Sequence, residues 1–424
     1  MIKILKNKIH SKRKKFQYKP LSIKEILKEM KISLDLMIDL AYSAIKFGSK
    51  EIADEVSKIE RRIHELTFLL NVQVIQTNIG GFQEAKSLEP IVVLGYSIDK
   101  ISDALADIAK VVYINGDIQE FTQLFWDDVP EPIVKITVKN ECKLIGQTRH
   151  DIHFRSNYGV DLVAIRRNDK WIFNKEEKIL EDDILIIKGE LEPILALKKL
   201  ANDDEPISFK LKEVEEDSIF DLNNPDLVEY LQELKKDYNY ITDISETMLE
   251  LSLASTFLES YEVAEDVLEM EELMDGLNIS FEKDLLDFAH EFDSPRDLMG
   301  IMRIAFSCEQ IADAAAHIAE SILKGFEPHA ILQKAIEETQ EIVVRETLSS
   351  DSFFKDKTYE ELQDHRYKRG FHIIALKREN TWIYSFKPDF RFNEGDLLIG
   401  LGPKETVEQW KQCVNPRFDE DDNK

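Results

Sequence analysis

A block of about 211 residues in the first half of this chain recurs, much diverged, in the second half, and that spacing constrains the fold more than any other feature. Tyr158-Gly159-Val160, Ala164-Ile165-Arg166-Arg167 and Trp171-Ile172-Phe173 align with Arg369-Gly370-Phe371, Ala375-Leu376-Lys377-Arg378 and Trp382-Ile383-Tyr384. Nearer the start of each block, Ala53, Val56, Glu60, Ile63 and Leu66 align with Ala264, Val267, Glu271, Met274 and Leu277. Solenoid repeats recur every 20 to 50 residues or so. A period this long points instead to a duplicated pair of domains, so any function argued for one block is to be checked on the other.

Within each block the hydrophobic period changes once. Ile52, Val56, Ile59, Ile63, Leu66 and Leu70 recur at steps of four and three, as do Ile98, Ile101, Leu105 and Ile108. This is the seam spacing of packed antiparallel helices. Pro130 and Pro132 end that pattern, since neither fits a helix interior. Beyond them come short apolar runs with turn residues between, Ile133 to Val138, Gly159 to Ile165 and Ile184-Leu185-Ile186-Ile187, which read as strands. The expected fold class is α+β multidomain, with two antiparallel helical bundles alternating with two small β-rich modules. The expected boundaries are a basic tail (1–20), bundle (21–127), strand module (128–206), linker (207–225), second bundle (226–346), second module (347–415) and acidic tail (416–424).

Charge narrows the partners. There are 82 acidic and 55 basic side chains, a net charge of −27, which would repel nucleic acid over most of the surface. The three cysteines, Cys142, Cys308 and Cys413, have neither thiolate zinc spacing nor the even count of a disulfide framework. No apolar run reaches the roughly 18 residues of a membrane span, and the N-terminus lacks a signal-peptide core, so a cytoplasmic protein is expected. Residues 1–24 run against the overall charge, with nine lysines and arginines before the first acid at Glu25. That stretch is either a solvated tail or a peripheral contact with the anionic inner face of the membrane.

The helical regions carry the one constellation that looks like chemistry. Asp99, Asp103 and Asp107 stand four apart and therefore line one helix face, and the partner helix offers Glu60 and His64 at the same spacing. Like charges at this spacing cost a helix about 0.2 to 0.5 kcal/mol per pair, which a bound cation would offset. The second block holds Glu271, Asp275, Glu309, Asp313 and His317, again four carboxylates and one histidine. Such donors suit iron, zinc or another divalent metal; the competing reading is a solvated charge stripe. The strand modules add Arg155, Arg166 and Arg167 in the first and Arg366, Lys377 and Arg378 in the second. These either form a site for a small anionic ligand or pair with neighbouring acids.

Two families come into view on these residues. Glu60-Arg61-Arg62-Ile63-His64 with Asp99-Lys100-Ile101-Ser102-Asp103, and Glu271 to Asp275 with Glu309 to Asp313, resemble the paired acidic motifs of the PhoU domain. That resemblance implies iron or zinc binding. Leu144 to Thr148, Gly159-Val160, Val163 to Arg167 and Glu181 to Ile186, with their second-block counterparts ending in Glu394 to Gly400, resemble the TrkA C-terminal (RCK_C) domain. The second resemblance implies a regulatory subunit of potassium channels and transporters, dimerised modules, and a small effector that in some relatives is a cyclic dinucleotide. No Gly-x-Gly-x-x-Gly turn is present, from which the absence of an NAD or ATP site is expected.

The function expected from the sequence is a cytosolic, ligand-sensing homodimer controlling a membrane cation channel or transporter. Control of phosphate uptake stands second. A metal-dependent phosphohydrolase stands third, and since no catalytic triad or nucleophile elbow is present, the chain is not expected to be an enzyme.

Overall fold

A computed structural model describes residues 21–77, 81–114, 133–203 and 225–416, apart from 153, 155–157, 169, 173–176, 190, 259, 290–297, 326–340, 364–371, 380, 384–385 and 388. The basic and acidic tails, the central linker, Arg155 and Arg366 lie outside the described residues, as does most of the segment that carries Pro130 and Pro132.

Helix α1 (Ile23–Phe47) starts on a reciprocal capping box: Ser22 Oγ accepts from Glu25 N, and the Glu25 carboxylate accepts from Ser22 N. Such a box satisfies amides that the first helical turn leaves orphaned. The helix ends at Gly48, whose φ of 58° is left-handed and costs glycine little. Two residues later α2 (Lys50–Thr77) begins, so the two helices run antiparallel. Helix α3 (Phe82–Lys110) completes the first bundle. The expected seams are buried, Ile52, Val56, Ile63, Leu66 and Leu70 on α2, with Ile59 half-buried, and Ile98, Ile101, Leu105 and Ile108 on α3. Gly95 lets these two helices close, because a Cβ there would collide with the Leu70 side chain.

A four-stranded antiparallel sheet follows, built from β1 (Ile133–Thr137), β2 (Val160–Arg167), β3 (Lys170–Ile172) and β4 (Ile184–Gly189) in the order β1-β4-β2-β3. A short helix α4 (Arg149–Ile152) precedes β2, and α5 (Leu191–Leu200) follows β4. One sheet face packs Val134, Ile136, Leu162, Leu185 and Ile187 with Ile194 and Leu197 of α5. The other face, through Ile133, Val163, Ala164 and Ile186, joins the core of the helices. Burial on both faces is why the strands read as continuous apolar runs rather than as alternation.

The order then recurs. Helices α6 (Pro225–Leu258), α7 (Tyr261–Phe288) and α8 (Met299–Leu323) form a second bundle. A second antiparallel sheet comprises β5 (Glu341–Thr347), β6 (His372–Arg378), β7 (Thr381–Ile383) and β8 (Leu397–Pro403) in the order β5-β8-β6-β7, with α9 (Tyr359–Gln363) before β6 and α10 (Lys404–Val414) last. Both sheets shift register inside the long central strand, at Leu162/Ala164 and at Ile373/Ala375. The α+β expectation is met, with one boundary corrected: β5 begins at Glu341, inside the span assigned to helix from sequence. Ile342-Val343-Val344 is a β-branched run that prefers a pleated, half-buried surface.

The two bundles share one apolar core. Helix α8 is its centre, packed on α6, α3 and α7. Its alanines Ala312, Ala315, Ala316 and Ala319 are buried and keep the neighbouring helices close. Helices α3 and α8 run antiparallel across the boundary: Asp107 lies 3.7 Å from Arg303, the Tyr96 ring meets that of His317, and Glu89 lies 3.6 Å from Lys324.

Candidate functional site

The carboxylate stripes of both bundles converge on the boundary between them. A cleft of about 580 Å³ opens there, lined from the first bundle by Glu60, Tyr96, Ser97, Lys100, Asp103, Asp107 and Lys110, and from the second by Gln310, Asp313, Ala314 and His317. The sequence reading placed one site in each bundle; packing of α3 on α8 puts members of both on a single cavity.

The two walls differ in charge balance. On the first, His64 Nε2 lies 2.9 Å from Asp103 Oδ1 and 3.6 Å from Asp99 Oδ1. Lys110 Nζ reaches Asp107 at 2.9 Å and Glu60 at 3.6 Å. Thr67 Oγ1 donates to Asp99. The expected five-ligand set is therefore divided: His64, Asp99 and Asp103 meet, while Glu60 and Asp107 turn to a lysine one helical turn away.

In the second bundle one carboxylate oxygen each from Glu271, Asp275 and Asp313 lie within 4.8 Å of one another, and of the three Asp313 lines the cleft. Of the described residues these are the ones spaced to surround a cation. Glu309 instead accepts from the Asn278 side-chain amide, and His317 leaves the set to meet the Tyr96 ring edge-on, its centroid 6.3 Å away. Thr67 and Asn278, which orient Asp99 and Glu309, were missed from sequence; their place three residues past His64 and Asp275, on the same helix face, was the available signal. Burial pushes the carboxyls of Glu271, Glu309 and Asp313 upward first, and repulsion from Asp275 and other nearby acids adds to it. Asp99 is raised too, by burial, against the pull of His64.

The described cations of the expected anion sites, Arg166, Arg167, Lys377 and Arg378, are already engaged. Arg167 donates through Nε and Nη2 to both oxygens of Asp183 at 2.8 Å, through Nη1 to Glu177 at 2.6 Å, and to the Lys178 carbonyl. Arg378 does the same to Asp396, at 2.8 and 2.7 Å, and to the Arg391 carbonyl. Asp183 and Asp396 are buried, so each guanidinium serves as an internal clamp. Lys377 pairs with Glu269 on α7, and Arg166 interacts with Glu51 on α2, so both face the bundles. The expectation of an anionic effector is corrected for Arg166, Arg167, Lys377 and Arg378, which already face neighbouring acids; Arg155 and Arg366 lie outside the described residues.

These contacts also dock the modules. In the first, Lys188 Nζ lies 3.4 Å from Asp39 of α1. In the second, Arg345 donates to Asp266 of α7 at 2.8 Å, and Tyr240 of α6 donates to the Trp382 carbonyl at 3.2 Å. The Asp266 side chain is nearly buried and its carboxyl is raised by that burial, with Arg345 opposing. Arg345→Ala therefore strands a desolvated charge at the docking face. The expected result is a loss of about 1 to 2 kcal/mol, since the pair is intermediate between exposed and fully buried ones. Hydrogen exchange should quicken along β5 and the start of α7; unchanged exchange there would show that apolar packing alone holds the module.

Among the described residues no helix is long and apolar enough to cross a membrane. No curated protein matches the chain. Among solved structures, it is similar to one described as "GsuK channel bound to NAD", at 12% identity and a TM-score of 0.16, with 76% of this chain and 66% of that chain covered. A second, "GsuK Channel", is 11% identical at a TM-score of 0.17, with 77% and 66% covered. The "Crystal Structure of the GsuK RCK domain" is 12% identical at a TM-score of 0.16, with 78% and 79% covered. The chain thus spans just under two thirds of the length of those channels. One of these matches is described as bound to NAD, and the comparisons support neither the expected absence of NAD and ATP nor the iron, zinc and cyclic-dinucleotide expectations, which are not carried further. Family models match in two places, the TrkA-C domain over residues 133–202 and the PhoU domain over residues 240–322, so the chain carries one matched domain of each kind.

Proposed function

We propose that this chain is a cytosolic regulatory protein that controls a membrane potassium channel or transporter, built as two tandem copies of a bundle-and-sheet unit and working as a homodimer. The observation that carries this reading is the TrkA-C match over a sheet one face of which is part of the helical core. A ligand that prefers one shape of the sheet then shifts the helices by as much as its affinities for the two shapes differ. The same strand order, the same register shift and the same buried arginine clamp in both modules support the tandem arrangement. The reading leaves the chain no catalytic role of its own.

Rubidium uptake at limiting potassium, in cells with and without the chain, tests it. Removal should change uptake at least about fivefold, the lower end of the usual range for allosteric coupling. Unchanged rubidium uptake with altered phosphate uptake would favour the second reading, control of phosphate transport, which the PhoU match over 240–322 supports.

A further inference from the structure

The cleft between α3 and α8 is unevenly neutralised. On the first wall Lys110 and His64 hold Glu60, Asp107 and Asp103. On the second, Asp313 lines the cleft with Glu271 and Asp275 beside it, outside the lining, and no lysine, arginine or histidine among the described residues lies within ion-pair distance of these three. Desolvated carboxylates without a counter-charge are costly, and an incoming cation would relieve that cost.

A second observation is independent of charge. Ser97 is fully buried, lines the cleft, and its Oγ has no hydrogen-bond partner. Buried hydroxyls are ordinarily satisfied, so an orphan on a cavity wall points to an occupant that completes it. A third concerns shape. The Tyr96 and His317 rings line the cleft, one from each bundle, and Lys100 Nζ lies 5.7 Å from the Tyr96 ring centroid. The Tyr96 face thus holds an alkylammonium, that of Lys100, an attractive geometry that an incoming ammonium would take over in its place.

We propose that this cleft binds a linear aliphatic polyamine. One ammonium group sits among Glu271, Asp275 and Asp313, the methylene chain crosses Tyr96 and His317, and a second ammonium donates to Ser97 Oγ and faces Asp103. A compact divalent ion would satisfy the three carboxylates and leave Ser97 and the aromatic pair unexplained. An extended cation uses all of them. The site goes beyond the transport reading and does not depend on it.

Calorimetric titration of the full chain with spermidine, putrescine, Mg²⁺ and Mn²⁺ at constant ionic strength tests the assignment. Saturable binding of one spermidine per chain is expected, tighter than that of putrescine. Asp313→Asn should weaken it about tenfold, the scale of one charge-assisted hydrogen bond, and Tyr96→Leu about threefold. Asp313→Asn relieves repulsion among acids, so its fold should survive, and circular dichroism checks this. Absence of saturable spermidine binding, an affinity indifferent to Asp313→Asn, or equal binding of Mg²⁺ or Mn²⁺ at the same charge would each overturn it. No transporter takes part in the measurement, so a negative result leaves the transport reading untouched.

Discussion

Replacing Arg167 with leucine should destabilise the first strand module by about 3 to 5 kcal/mol, the cost of leaving a buried carboxylate without its partner. Asp183 is completely buried, and the guanidinium covers both its oxygens while the Leu180 amide donates a third bond at 2.7 Å. Without Arg167 the carboxylate must stay charged in an apolar surround or take up a proton. Lysine should not rescue it, because a single ammonium cannot make the forked contact that also reaches Glu177 and the Lys178 carbonyl. The double change Arg167→Leu with Asp183→Leu should recover most of the loss, since a buried ion pair replaced as a unit by apolar residues is close to neutral. Hydrogen exchange resolved by segment is the measurement. Residues 133–203 should lose protection while α6 to α8 keep theirs. If Arg167→Leu costs under about 1 kcal/mol, the pair behaves as an ordinary surface bridge and the clamp assignment fails. Arg378→Leu should act in the same way on the second module, where Asp396 is as deeply buried and also accepts from Asn393 N.

The second large effect is on pH. Asp243 of α6 has its carboxyl pushed up to about 7, by burial first and by repulsion from Glu246 next, with Lys188 pulling the other way. Lys188 also contacts Asp39 of α1, whose carboxyl burial likewise raises. Two acids from different bundles therefore share one lysine of strand β4. A group whose folded pKa is raised binds more protons folded than unfolded, so stability falls as pH rises between the two values. From about pH 4 to pH 7 the protein should lose stability continuously and level off above pH 8. A gap of three units corresponds to about 4 kcal/mol, reduced to about 3 kcal/mol by the partial solvent contact of this half-buried side chain. Asp243→Asn should be more stable than the wild type at pH 8 and should flatten the profile above pH 5. Denaturant midpoints measured at pH 5, 6, 7 and 8 decide this. A wild-type profile whose slope survives in the Asn variant would assign the proton to another group.

Much of the architecture was legible because it is periodic. The steps of four and three that mark Ile52 to Leu70 are the buried seam of α2, and the same holds for Ile98 to Ile108 on α3. The runs at Ile133 and Ile184 are strands because both their faces are covered. Where periodicity is silent, the reading slipped. Glu341 to Thr347 carries charged residues at both ends of its apolar centre, and nothing local separates a short strand from the tail of a helical region. The acidic stripes were visible for the same reason as the seams, since residues four apart share a helix face.

Partners across large sequence separation were another matter. Arg167 and Asp183, or Arg378 and Asp396, are as close as bonded neighbours only because β2 and β4, or β6 and β8, pair side by side. His317 meets Tyr96 rather than Asp313, and Asp243 meets the field of Lys188, because α8 lies against α3 and the first sheet lies against both bundles. The amino-acid order by itself determined which segments are helix and strand, where the hydrophobic period changes, and which side chains share a face. Only the tertiary structure decided that members of two acidic stripes border one cleft, that Arg167 and Arg378 are spent internally, and which carboxyls are starved of water. The reason is that burial and charge act through space, between groups that packing brings together from distant parts of the chain.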